Sequence, residues 1–195
     1  MNDQETLSSV EFLPADFVHR FIAARNVSKS SAKIETYLLL HGTGGDENDL
    51  LPLGLQLAGE RDDIAYLSPR GQVLENGAPR FFRRLAEGVF DEADLRIRTH
   101  QLDDFINRAA SKYKLDGQNI TAIGYSNGAN IAASLLLLHP GTLRRAVLLH
   151  AMIPHVPDEM PNLNGTQILL TAGRRDPIVT PANTERLHAM LKERV

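Results

Sequence analysis

Cysteine is absent from the 195-residue chain. Disulfides, thiolate metal sites and a cysteine nucleophile are thereby excluded, and the chain is compatible with either redox environment. Excess charge of one sign is also missing: the formal net charge is -3, which gives no electrostatic footprint for a nucleic-acid partner. No repeat, charge block or low-complexity tract interrupts the chain. The longest apolar run, "ANIAASLLLL", is far short of the roughly 20 residues that span a bilayer. The N-terminal "MNDQETLSSV" is polar and acidic where a secretory signal carries a basic start and an apolar stretch, so a cytoplasmic location is the expectation. Histidines lie scattered, with no H-x-x-x-H and no carboxylate cluster at ligand spacing; no metal and no cofactor is expected.

What is present is a pattern of buried strands alternating with helices. The runs "IETYLLLHG" from Ile34, "IAYLSPRG" from Ile64, "NITAIGYS" from Asn119, "RRAVLLHA" from Arg144 and "QILLTAG" from Gln167 are rich in aliphatic and β-branched residues, and each enters a turn. "FVHRFIAA" from Phe17 reads as an earlier strand near the sheet edge. Helical spacing appears after Asp49, with Leu50, Leu53 and Leu57 on one face. It appears again from Leu95 to Tyr113, from Ser126 to Leu138, and after Thr180, where Thr180 reads as the N-cap and Pro181 as the first helical residue. The alternation predicts one α/β domain over residues 1–195, a mostly parallel sheet with helices on both faces. Residues 71–94, punctuated by Gly and Pro, read as a long loop of the kind that walls a substrate site.

"GYSNGAN", Gly124 to Asn130, fits G-x-S-x-G with an apolar strand before it and an apolar helix after it. This is the context of a nucleophile elbow, in which the serine occupies a strained turn so crowded that its neighbours two residues away are glycine. Ser126 is thus the candidate nucleophile, and the Asn127 backbone N–H at the helix start is a candidate oxyanion donor. The second donor is expected from "HGTGGDENDL", where Thr43 N–H is the best placed. A phosphate-cradling turn at Gly42, Gly44 and Gly45 is the alternative, but neither G-x-G-x-x-G nor the P-loop spacing is met. Asp176 in "TAGRRDPIV" falls just past a strand end, level with the serine, where a carboxylate can orient an imidazole.

Taken together, "LLLHGTGGDENDLLPL", "LSPRG", "RFFRR", "GYSNGANIA" and "GRRDPIV" resemble the carboxylesterase/phospholipase branch of the α/β-hydrolases, similar to dienelactone hydrolases, acyl-protein thioesterases and bacterial quinone-stress carboxylesterases. The resemblance runs from about Ile34 to the C-terminus. It implies hydrolysis of a carboxylic ester or thioester of a small molecule through an acyl-enzyme, with Ser126 as nucleophile, Asp176 as triad acid, and Thr43 and Asn127 N–H groups as the oxyanion hole. It also implies a substrate cleft lined by Arg80, Phe81 and Phe82. His41, in the oxyanion loop, and Met152, in "HAMIPHVPDEM", are further candidate substrate-side residues, His41 reading more as a brace of its loop than as a catalyst. Pairing into a homodimer stays open.

The fold's chain order is Ser, then Asp, then His. His188, the one histidine after Asp176, would lie about 12 Å along its helix, away from the catalytic edge. His150, at a strand end on that edge, is the better substitute, but it precedes Asp176. The expectation is that the base lies beyond Val195, with the family's last strand and closing helix. A catalytically inactive, ligand-binding member of the fold is the alternative reading.

Overall fold

The structure, a computed structural model, describes residues 17–25 and 34–192. Six strands form one sheet: β1 (His19–Ile22), β2 (Glu35–Leu40), β3 (Ile64–Pro69), β8 (Ile120–Tyr125), β9 (Arg145–Leu149) and β10 (Gln167–Thr171). Their order is β1-β3-β2-β8-β9-β10; β1 runs antiparallel to β3, and every other pairing is parallel. The central strands β2 and β3 are buried along their whole length, the mark of a sheet covered on both faces. Alternation along β2 divides the core: Leu38 and Leu40 join the cluster under α2 (Glu92–Tyr113) and α3 (Asn127–Leu138), while Tyr37 and Leu39 join the one under α1 (Leu51–Ala58). A fourth helix, α4 (Pro181–Lys192), buries Leu187 and Leu191 in the first cluster. The expected mostly parallel sheet with helices on both faces is therefore present.

Helix boundaries follow local chemistry. Asp91 caps α2, its side chain accepting from Asp94 N at 3.0 Å. Thr180 Oγ1 accepts from Asn183 N at 3.3 Å ahead of Pro181. In α1 the buried positions are Gly54 and Ala58, beneath buried Leu50, whereas Leu57, expected on the inner face, is 53% exposed. The inner stripe runs at i, i+4, i+8 through Leu50, Gly54 and Ala58, and its two positions inside the helix are small where the helix lies close on the sheet: a Cβ at Gly54 would meet Leu39 Cδ1 at 3.0 Å.

Residues 71–94 are not an irregular loop. They fold into two small hairpins, β4 (Val73–Glu75) with β5 (Ala78–Arg80), and β6 (Arg84–Ala86) with β7 (Val89–Phe90). Asn76 and Gly77, with φ of 52° and 84°, close the first in the doubly left-handed turn that Asn-Gly favours. Among the described residues, β10 pairs only with β9.

Candidate active site

Ser126 sits between β8 and α3 with φ 51° and ψ -111°, outside the ordinary regions for an L-residue. The crowding that requires its glycine neighbours is explicit. A Cβ at Gly124 would lie 2.6 Å from Gly128 O, and one at Gly128 would lie 2.0 Å from Leu40 O. The turn is held by Ser126 N donating to Leu149 O at 2.8 Å and Asn130 N donating to Ser126 O at 2.9 Å. Ser126 opens on a cavity of about 120 Å³, whose walls include Thr43, Arg80, Arg84, Phe90, Asn127, His150, Met152 and Asp176.

Asp176 follows β10 and is fixed on both oxygens. Oδ1 accepts from Ile178 N and Val179 N, each at 2.9 Å, and Oδ2 lies 2.5 Å from His150 Nδ1. The Val179 amide, the His150 contact and the Ile178 amide hold its carboxyl below the ordinary aspartate value. His150 directly follows β9 with φ 57°, its backbone N–H donating to Thr171 O at 2.8 Å, and its ring meets Tyr125 edge-on at 5.7 Å. Four non-glycine residues among those described have positive φ, and two of them, Ser126 and His150, line this one cavity. Backbone strain of about 1–3 kcal/mol per residue persists where surrounding structure enforces it, commonly at functional sites.

The loop after β2, from His41 to Gly45, is anchored from several directions. Gly44 N donates to Pro79 O at 2.9 Å, and the Thr43 hydroxyl accepts from Arg80 Nη1 at 2.8 Å. His41 is 1% exposed and does not line the cavity. Its Nε2 accepts from Gly71 N at 2.9 Å, so its proton sits on Nδ1, which donates to Gly42 O at 2.6 Å. Burial pulls its pKa below the ordinary imidazole value. His41 is therefore corrected from a substrate-side residue to a brace between two loops.

Phe81 and Phe82 are also corrected. They are 1% and 0% exposed, packed in the core rather than on the cleft wall, and the phenylalanine that lines the cavity is Phe90, edge-on to Phe82 at 5.1 Å. Arg80 and Met152 do line it. His188 instead borders a separate groove with Ile168, Leu169, Leu170, Leu191 and Lys192. The histidine expected beyond Val195, with its strand and helix, lies outside the described residues.

Asn130 was missed, and Asn127 was named for its N–H alone. Asn127 Oδ1 accepts from Phe81 N, and Asn130 Oδ1 from Met152 N, each at 2.7 Å, so α3 pins the backbone next to cavity-lining Arg80 and at cavity-lining Met152. The available signal was two asparagines at i, i+3 in an otherwise apolar, buried helix, where amides persist only if they are bonded. Among the described residues no cluster of His and carboxylates could hold a metal ion, and no helix is long and apolar enough to cross a membrane.

The pattern that defines the Phospholipase/Carboxylesterase family matches residues 23–195. MhqD of Bacillus subtilis (strain 168), which is named as a hydrolase, is 45% identical over 169 residues, covering 87% of this chain and 83% of that protein. The crystal structure of the Bacillus cereus carboxylesterase is 49% identical and superposes with a TM-score of 0.83, over 91% of this chain and 80% of that one. The carboxylesterase from Mesorhizobium loti is 33% identical with a TM-score of 0.79, over 91% and 81%.

Proposed function

Because the chain belongs to the phospholipase/carboxylesterase family of α/β-hydrolases, we propose that its carboxylesterase chemistry runs through an acyl-enzyme on Ser126, acting on esters of small molecules, with short thioesters as a second acyl class. The observation that carries this reading is a serine on a strained, glycine-flanked turn facing the same cavity as a fixed carboxylate–imidazole pair.

In this mechanism an imidazole takes the Ser126 hydroxyl proton as Oγ bonds to the carbonyl carbon. The oxygen that gains charge accepts from Thr43 N–H and Asn127 N–H, and the positive end of α3 adds to that field. Collapse expels the alcohol, which leaves with the proton from the imidazolium. Water then repeats the sequence on the acyl-enzyme and releases the acid. Asp176 holds the imidazole in its tautomer and stabilises its charge. His150 is the imidazole in contact with Asp176 among the described residues, which favours it as base. The fold's Ser–Asp–His order favours a histidine that follows Asp176.

Ser126→Ala tests the reading. Turnover of p-nitrophenyl acetate should fall by roughly a thousandfold or more, leaving only binding and oxyanion stabilisation. A variant that keeps a tenth or more of the activity would place the nucleophile elsewhere.

A further inference from the structure

The cavity at Ser126 is lined by two guanidiniums that hydrolysis of a neutral ester does not use. Arg80 and Arg84 both line it. Glu75 faces both arginines: Arg84 Nε donates to its two oxygens at 2.9 and 3.1 Å, and Arg80 Nη1 lies 3.2 Å from Oε2. One carboxylate, Glu75, thus pairs with both guanidiniums. The cavity's other carboxylate, Asp176, has the Ile178 and Val179 amides on Oδ1 and His150 on Oδ2 as its partners.

Arg80 is the more telling of the two because it is 3% exposed. Its Nε donates to Phe82 O at 3.2 Å and its Nη1 to Thr43 Oγ1 at 2.8 Å, while Nη2 has no hydrogen-bond partner among the described residues. Burial pulls its pKa down and Glu75 opposes that shift, yet an arginine stays cationic throughout the physiological range. A buried cation costs several kcal/mol unless an anion and hydrogen bonds offset it. A cavity-lining guanidinium with one nitrogen open is suited to a carboxylate oxygen, through a single charge-assisted hydrogen bond.

We propose that this cavity selects esters whose acyl part carries a carboxylate, half-esters of short dicarboxylic acids, with Arg80 pairing the anion and Arg84 as the adjacent charge. The inference deepens the serine-esterase reading and rests on it. Short chain length follows from two observations. The Arg80 guanidinium is bonded to the side chain of Thr43, whose N–H is the proposed oxyanion donor, so the anion and the scissile carbonyl sit close together. The cavity, about 120 Å³, is also smaller than the roughly 300–1,000 Å³ of pockets for drug-sized ligands. A purely bracing Arg80 would influence every substrate alike, whereas an anion partner separates charged from neutral acyl groups.

Two arms test this in the full chain. In the Ser126→Ala background, calorimetry compares monoethyl succinate with ethyl butyrate. The charged ester should bind about tenfold or more tightly, as expected for a charge-assisted hydrogen bond. Arg80→Gln should remove that preference, and Arg84→Gln should reduce it. With Ser126 intact, pH-stat titration compares kcat/KM for the same two esters, and the ratio should fall about tenfold in Arg80→Gln, chiefly through KM. Equal affinities, or a preference that survives Arg80→Gln, overturn the proposal, as does an equal loss on both esters. Arg80→Lys, which keeps the charge, should retain part of the preference if the glutamine variant fails to fold; if it retains none, the proposal falls. Absence of turnover with the binding preference intact counts against the serine-esterase reading alone.

Discussion

Asn127 shows how one side chain links the turn at Ser126 to the segment that carries Arg80. Its Oδ1 is the acceptor for the buried Phe81 N–H, next to Arg80. Asn127→Ala leaves that donor unpaired and should cost about 1–3 kcal/mol, read as a lower denaturation midpoint in urea at unchanged slope. At His150 the two candidate bases predict different outcomes. If His150 is the base, His150→Ala lowers kcat roughly a thousandfold or more; if a histidine following Asp176 is the base, the loss stays below about tenfold, since His150 is then a cavity wall. Steady-state kinetics on a p-nitrophenyl ester distinguishes them. The placement of Ser126 and Asp176 on one cavity was legible in the sequence because a strand end followed by a turn fixes where a residue stands. His41, Phe81 and Phe82 were misjudged because the sequence gives a residue's place along the chain but not the direction of its side chain, and an aromatic ring beside a cavity can serve the core as readily as the cleft.

The elbow is the element on which the site depends, and its tolerance is set by backbone contact rather than by side chains. A Cβ at residue 128 would lie 2.0 Å from Leu40 O, so Gly128→Ala must push α3 off β2. The expected cost is about 3 kcal/mol or more, at the upper end for overpacking, and thermal denaturation should show it along with lost activity. The six sheet strands and the four helices followed from hydrophobic period and capping residues, because burial on one or both faces writes itself into those patterns. The hairpins at 73–90 did not. Their strands are two or three residues long and half exposed, too short to show a period. The Asn76-Gly77 pair was the readable signal, a turn that Asn-Gly closes at low cost.

For the whole molecule, acid sensitivity has a definite sign. His155 is 2% exposed, neither ring nitrogen has a hydrogen-bond partner, and burial with a contribution from Arg96 pushes its pKa down to about 4. Between about 4 and the ordinary 6.5 the unfolded chain binds a proton that the folded one does not, so stability falls as pH drops through that window. The contribution is on the order of 3 kcal/mol, and His155→Leu should flatten this part of the stability–pH curve. Whether this family member acts through an activated serine is decided by covalent labelling. A fluorophosphonate probe should add one adduct per chain, peptide mapping should place it on Ser126, and Ser126→Ala should abolish it. An adduct on another residue, or no adduct on a folded chain that hydrolyses esters, would contradict an activated Ser126.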